Sequence, residues 1–240
     1  MPREKIDKVS GNRLLAALEP DDAARLRPDL EETALKRQQV LYEPHGPIAL
    51  AYFPHDALIS MQTVLSNGPS VESGMIGREG MLGLPLVGDH SNSPTRAVVQ
   101  VPGQATVITA DRLNRALRDS ASMRSLFGRY LHAFLTQITQ SAACNAVHAA
   151  ERRLARWLLG ATERNGGRAL PLTHEFLADI LGVGRPTLTL VARALQNAGL
   201  IDYRRGLITV TDRDGLEKAA CECYRAVRRV YEDLLPLTFE

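Results

Sequence analysis

The chain has 240 residues, of which 45% are hydrophobic and 23% charged, and a formal net charge of +2. A chain of this size and ordinary composition folds into one or two globular domains, which excludes disordered and fibrous classes. No apolar run approaches the roughly 20 residues that cross a bilayer and the charged N-terminal stretch lacks a secretion signal's apolar segment, so no membrane partner and a cytoplasmic location are expected.

In chain order, NRLLAALEPDDAARLRPDL reads as short helices, with Asp21 a cap for the second. From about Lys36 to Ile108 the texture changes to short apolar runs, VLYE, IALAYF, ALISMQTVL and AVVQV. They are separated by PHG, SNGPS, VGDHSNSPT and VPGQ, a spacing that predicts an antiparallel sandwich or barrel. Gly and Pro then become scarce from about Asp111 to Gly160. Within that stretch Leu131, Leu135, Ile138 and Ala142 recur at steps of four, three and four, extended upstream by Phe127. Such a stripe on a long connector helix suits pairing with a second copy of itself, with ordinary core packing as the alternative. After it, ERRLARWLLGAT reads as an amphipathic helix and RNGGRALPL as its break. The chain closes on a last helix over DGLEKAACECYRAVRRVYEDLL. The division expected is 1–110, 111–148 and 149–240.

The stretch LADILGVGRPTLTLVARALQNAGLI cannot be one helix, because it holds Gly182 and then Pro186. Two helices resolve the conflict: Gly182 makes the turn, and Pro186 opens the second helix, where a missing N–H costs nothing. Ala178 is small enough for a close helix crossing, and Leu177, Leu181, Val183, Leu188, Val191 and Leu195 plug the angle between the helices. Thr173 precedes the first helix as a cap. The second helix leaves Arg185, Thr187, Thr189 and Arg193 for an outer face, and its N-terminus offers N–H groups to a phosphate. The following LIDYRRGLITV reads as a hairpin whose tip carries Arg204 and Arg205 as phosphate contacts. Charge agrees with this placement. Residues 1–150 carry 15 basic and 15 acidic side chains, whereas 151–230 carry 14 and 9. That excess suits a surface that meets duplex DNA.

These segments together resemble the Crp/Fnr family of bacterial transcription regulators. YFPHDALISMQTV and VESGMIGREGMLGLPL resemble the β-roll of members that lack the standard cyclic-nucleotide motif. AERRLARWLL, the helix-turn-helix and CECYRAVRRVYEDLL resemble their C-terminal halves. The resemblance implies an α+β architecture: an N-terminal antiparallel β-roll, a long dimerisation helix, and a C-terminal winged helix-turn-helix. It further implies a homodimer that reads a palindromic DNA site, with control through the β-roll. RNA polymerase is a further candidate partner. On the recognition helix, Arg185 falls where members place an arginine that donates to guanine. Pro186 and Leu190 stand where the best-known members carry a glutamate and a second arginine. The base-contacting set expected is therefore Arg185, Pro186, Thr189 and Arg193, with Thr173, Thr187, Arg204 and Arg205 on phosphates.

The sensor departs from the family. Cyclic-nucleotide binders use a Gly-Glu-Leu segment and a later Arg-Ser-Ala; here the corresponding segments are GREG, Gly77 to Gly80, and TRAV with Arg96 one residue out of place. On a strand such an offset turns the side chain to the other face. Gly77, Glu79, Gly80 and Arg96 stand as the candidate effector pocket, with the glycines, Gly83 included, read as turns. Cyclic AMP is not expected, and the effector is unknown. No cysteine precedes Cys144, so no iron–sulfur cluster of the Fnr type is expected. Cys144, Cys221 and Cys223 show no zinc spacing, and the last two, read on one helix, point apart. No metal is expected from them. His45, His55 and His90 raise a cupin-like metalloenzyme as a rival, but no H-x-H pair occurs, nor any nucleophile elbow or phosphate loop, so no enzymatic activity is expected. A further alternative is a constitutive DNA-binding protein with a vestigial sensor.

Overall fold

The structure, a computed structural model, describes residue 9, residues 11–66 and residues 70–235. The centre of the SNGPS turn, residues 67–69, and the outer ends of the first and last expected domains lie outside the described residues.

Two short helices, α1 (Arg13–Ala16) and α2 (Pro20–Leu26), open the fold. Asp21 does not cap α2. Pro20 already occupies the first helical position, Glu19 is the cap residue, and Asp21 sits in the first turn. Seven strands follow: β1 (Glu31–Leu35), β2 (Val40–Tyr42), β3 (Leu50–Pro54), β4 (Leu58–Thr63), β5 (Val71–Ile76), β6 (Arg96–Val101) and β7 (Gly103–Thr109). They form two antiparallel sheets, β1-β7-β3 and β2-β6-β4-β5. Phe53 from one sheet and Ile59, Ile76 and Val99 from the other share one buried core.

The connector expected at 111–148 is two helices, α3 (Ala110–Asp119) and α4 (Ala121–Val147). Ser120 leaves helical geometry between them, and its Oγ accepts from Met123 N at 3.1 Å to cap α4. α4 buries Met123, Leu126, Phe127, Tyr130, Ala133 and Phe134 against the β-sheets. The C-terminal part holds α5 (Ala150–Arg164), β8 (Leu170–Pro171), α6 (His174–Leu181), α7 (Arg185–Asn197), β9 (Ile201–Arg204) and β10 (Leu207–Val210). β8, β10 and β9 make a small sheet in that order, and Leu158, Leu177, Leu188 and Ile208 share its core.

The last helix expected from the sequence is broken. α8 (Arg213–Ala219) and α9 (Cys223–Leu234) are separated by residues 220–222, and Asp212 caps α8 by accepting from Gly215 N at 2.9 Å. The break lets α9 turn back along α4, where Val227 and Tyr231 enter the core of the β-sheets. Among the described residues no helix is long and apolar enough to cross a membrane.

The two halves of the chain meet at Arg164, the last residue of α5. Its Nε donates to Glu79 Oε1 at 3.0 Å, and its second terminal nitrogen donates to Gln137 Oε1 of α4 at 2.5 Å. The guanidinium also lies 5.3 Å from the centre of the Tyr231 ring on α9. Gln137 in turn donates to the Met75 carbonyl of β5 at 2.9 Å. Both charged side chains are almost wholly buried, Arg164 at 5% exposure and Glu79 at 1%. A second tie runs from Trp157 Nε1 of α5 to Glu72 Oε1 of β5 at 2.7 Å. Removing one partner of a buried ion pair leaves the other charge without compensation, which costs about 3–5 kcal/mol. Arg164→Ala is therefore expected to lower stability by about that amount in urea unfolding. A loss under about 1 kcal/mol, the ordinary figure for exposed pairs, would show that the pair is solvated.

Candidate nucleic-acid interface

α6 ends where a side chain would be penalised. Gly182 takes φ of +59°, the left-handed conformation. Its N–H donates to the Asp179 carbonyl and that of Val183 to the Ala178 carbonyl, closing the helix end. Gly184 then stands as the cap residue of α7, and Pro186 lies in the first turn of α7, one residue after its start at Arg185. Leu177, Ala178, Leu181, Leu188, Ala192 and Leu195 are buried between the helices. Arg153 of α5 donates to the Leu181 carbonyl at the end of α6, fixing the pair on the rest of the domain.

The outer face of α7 follows from what these contacts leave uncovered. Arg185, Pro186, Thr187 and Arg193 are exposed. Thr189 lies at the edge of that face. It is half-buried, and its hydroxyl lies 3.0 Å from the Arg185 carbonyl and 3.3 Å from His174 Nδ1 on α6. Thr189 lies on the flank of α7 beside α6, where those two contacts engage its hydroxyl. The structure presents Leu190, 68% exposed near the centre of the face. Leu190 stands where the resemblance implies a second arginine, and it cannot make an arginine's hydrogen bonds. Its exposure gives it another use, since an apolar side chain can contact a thymine methyl. His174 is held below the ordinary histidine range by burial and by the charges of Arg185 and Arg193.

Thr173 caps α6, its Oγ1 accepting from Phe176 N at 3.3 Å, which leaves the hydroxyl proton on an exposed edge. The hairpin turns through Arg205 (φ 51°) and Gly206 (φ 77°), two positive φ values in succession as in a type I′ turn. Arg205 is exposed at the tip. Arg204 is also exposed, but its Nε donates to Asp202 Oδ1 at 2.9 Å, so part of its charge is already answered.

The candidate effector quartet does not form a pocket. Glu79 is engaged by Arg164, and the Gly77 N–H donates to the same carboxylate at 3.1 Å. Gly77 and Gly80 are the ends of a tight turn, the Gly80 N–H donating to the Gly77 carbonyl at 3.2 Å without positive φ, and both also admit close neighbours. A Cβ on Gly77 would stand 2.6 Å from Arg164, and one on Gly80 would stand 2.2 Å from the Tyr130 ring. Gly83, at φ +124°, does require glycine. Arg96 is half-exposed and pairs with Glu43 at 3.4 Å.

The stripe on α4 also needs one correction. Phe127 is fully buried against Phe53 within its own chain and cannot reach a partner helix. Leu131, Leu135 and Ala142 are exposed and Ile138 half-exposed. Gly128, half-exposed with open space where its Cβ would be, continues their spacing in place of Phe127. Between this stripe and the four-stranded sheet lies an open groove of about 430 Å³, walled by Tyr42, Met61, Leu84, Phe134, Leu135 and Ile138.

Residues 152–219 match the family model of the Crp-like helix-turn-helix domain. The whole architecture is similar to solved regulators. FixK2 from Bradyrhizobium japonicum aligns at a TM-score of 0.68 and 15% identity over 80% of this chain and 98% of that one. A CRP-family regulator from Thermus thermophilus aligns at 0.65 and 18% identity over 79% and 96%. CLP, a c-di-GMP-responsive global regulator from Xanthomonas campestris, aligns at 0.63 and 17% identity over 80% and 99%. The search of curated sequences finds no match.

The exposed arginines separate into two expected behaviours. Arg185→Ala should weaken the preferred duplex by about 1–3 kcal/mol and relax the choice of one base pair per half-site. Arg205→Ala should weaken all duplexes alike and reduce the salt slope by about one. Titration of both variants against matched and mismatched duplexes at several salt concentrations checks this; interchanged behaviours would mean that α7 does not lie in the groove.

Proposed function

From a chain that carries a Crp-like helix-turn-helix domain within the fold of Crp/Fnr regulators, we propose a sequence-specific transcription regulator that binds double-stranded DNA as a homodimer. The observation that carries this is the outer face of α7. Arg185, Leu190 and Arg193 are held exposed and uncommitted to the core, with the wing tip Arg205 on the same small domain. Phosphate contacts set position and base edges set sequence, and this face offers groups for both.

Dimerisation rests on the second face of α4. Gly128, Leu131, Leu135, Ile138 and Ala142 are spaced three, four, three and four residues apart, the heptad pattern of paired helices. Gly128 would let two helices approach closely. A dimer joined there is two-fold symmetric, so its two copies of α7 would read a palindrome, about 34 Å apart in successive major grooves.

Control would enter through the groove beside α4. Its lining includes no Arg, Lys, Asp or Glu, so it suits an apolar effector rather than a cyclic nucleotide. Leu131, Leu135 and Ile138 belong both to that lining and to the proposed seam. A ligand there would reseat α4, and Gln137 on the same helix holds Arg164 at the root of the DNA-binding domain. The groove favours a liganded sensor over a constitutive protein. No catalytic role is proposed, the location is cytoplasmic, and RNA polymerase is a natural further partner.

The test is selection of bound sites from random duplex DNA with purified protein, beside Leu135→Glu. The expected result is a two-fold palindrome for the parent. The variant should sediment as a monomer and bind the selected site at least tenfold more weakly. Asymmetric sites, or a variant that stays dimeric, would overturn the proposed assembly.

A further inference from the structure

Beside the hinge between α4 and α5 four side chains converge whose chemistry DNA binding does not use. Cys144 lies on the last turn of α4, and His148 is the residue that ends it. Cys221 and Cys223 come from the break between α8 and α9. The sequence reading placed them on one helix, pointing apart. In the structure Cys221 precedes α9 and Cys223 begins it, so both thiols face Cys144. The three sulfurs and an imidazole nitrogen lie within 4.8 Å of one another. Cys144 Sγ is 3.4 Å from Cys221 Sγ, and Cys223 Sγ is 3.5 Å from His148 Nδ1.

The two shorter separations are close to the edge of a ligand tetrahedron, and the whole set, within 4.8 Å, would need only a small contraction to close on one ion. Around zinc, with Zn–S near 2.3 Å and Zn–N near 2.0–2.1 Å, neighbouring donors stand roughly 3.5–3.8 Å apart. The surrounding groups fit as well. His148 Nε2 is 3.2 Å from Glu222 Oε1, the carboxylate–histidine arrangement that holds the proton on Nε2 and turns the Nδ1 lone pair toward the sulfurs. Gln140 Nε2 donates to Cys223 Sγ at 3.1 Å, a contact that favours a thiolate. Arg153 and Arg156 of α5 place positive charge near Cys144. That offsets the excess negative charge of three thiolates around a divalent ion.

We propose that Cys144, His148, Cys221 and Cys223 bind one zinc ion in a closed, structural site. Four protein donors leave no open position for catalysis, and soft thiolates with an imidazole select zinc over hard cations. Binding displaces the thiol protons into solvent, so affinity falls as pH falls. The ion clasps the α8–α9 turn to the end of α4 across the hinge at His148. It thereby fixes the angle at which the DNA-binding domain leaves the long helix. The site stands independently of which duplex the chain reads.

The experiment is elemental analysis of the full-length protein, purified without chelator from zinc-supplemented cells, followed by competition with a chromophoric chelator. One zinc per protomer is expected, with zinc removal lowering the Tm. Cobalt in its place should give the intense visible bands of a tetrahedral thiolate site. His148→Ala and Cys221→Ser should each weaken zinc retention at least tenfold, and Glu222→Gln about tenfold at unchanged stoichiometry. His148→Ala removes a partly exposed ligand and keeps the test valid if Cys221→Ser fails to fold. Absence of zinc with a Tm indifferent to added zinc would overturn the proposal. So would stoichiometric iron, a Cys144–Cys221 disulfide in freshly purified protein, or undiminished zinc retention in both ligand variants.

Discussion

The buried pair between Glu79 and Arg164 is the contact on which the rest of the arrangement depends. An isolated charge in either position would be untenable in so dry a place. Together they join a loop after β5 to the end of α5, and Gln137 and Tyr231 draw α4 and α9 into the same network. Four elements from both halves of the chain therefore share one set of hydrogen bonds. Such a network specifies a relative orientation, which apolar packing alone would leave free to slide. The small residues on either side of Glu79 are part of it, because Gly77 and Gly80 let Arg164 and Tyr130 approach the backbone.

α4 obeys a different constraint: it has two apolar faces, and the β-sheets cover only one of them. Tyr130 and Phe134 occupy the face toward the β-sheets, while Leu131 and Leu135 are left to solvent in the single chain. Exposed leucines in heptad register are costly unless something buries them, and a second copy of the helix is the simplest cover. Leu131 and Leu135 also wall the apolar groove, so an occupant there would touch the proposed seam directly.

Much of this was legible in the sequence. The helix-turn-helix could be read because its signals are local and steric: Gly182 and Pro186 are permitted together only at a turn between two helices. The runs forming β2, β3, β4 and β6 were visible for the same reason, as each is apolar and bounded by turn residues. β1, β5 and β7 were not among the apolar runs: EETAL has polar residues at its exposed positions, VESGMI opens on Glu72 and Ser73, which are not exposed, and the start of GQATVIT reads as the separator VPGQ. That the Thr189 hydroxyl turns toward His174 depends on packing against α6, which the sequence of α7 alone does not state. Glu79 and Arg164 are 85 residues apart, and nothing in either neighbourhood announces the other. The Cys/His cluster failed for a similar reason. Its pairs are separated by more than 70 residues, and the break before α9 that aims Cys221 at Cys144 has no Gly or Pro to mark it.

Orientation is what links the buried network, the seam and the recognition helix. In the proposed dimer each subunit would have to deliver its α7 to a fixed place relative to the two-fold axis for the pair to enter successive grooves. The most direct measurement is the distance between spin labels placed by a noncanonical residue at exposed Thr187 in the dimer bound to its selected duplex. A narrow distribution centred near about 34 Å is predicted, within the reach of the label's linker. A broad distribution, or a sharp one far from that value, would contradict the account.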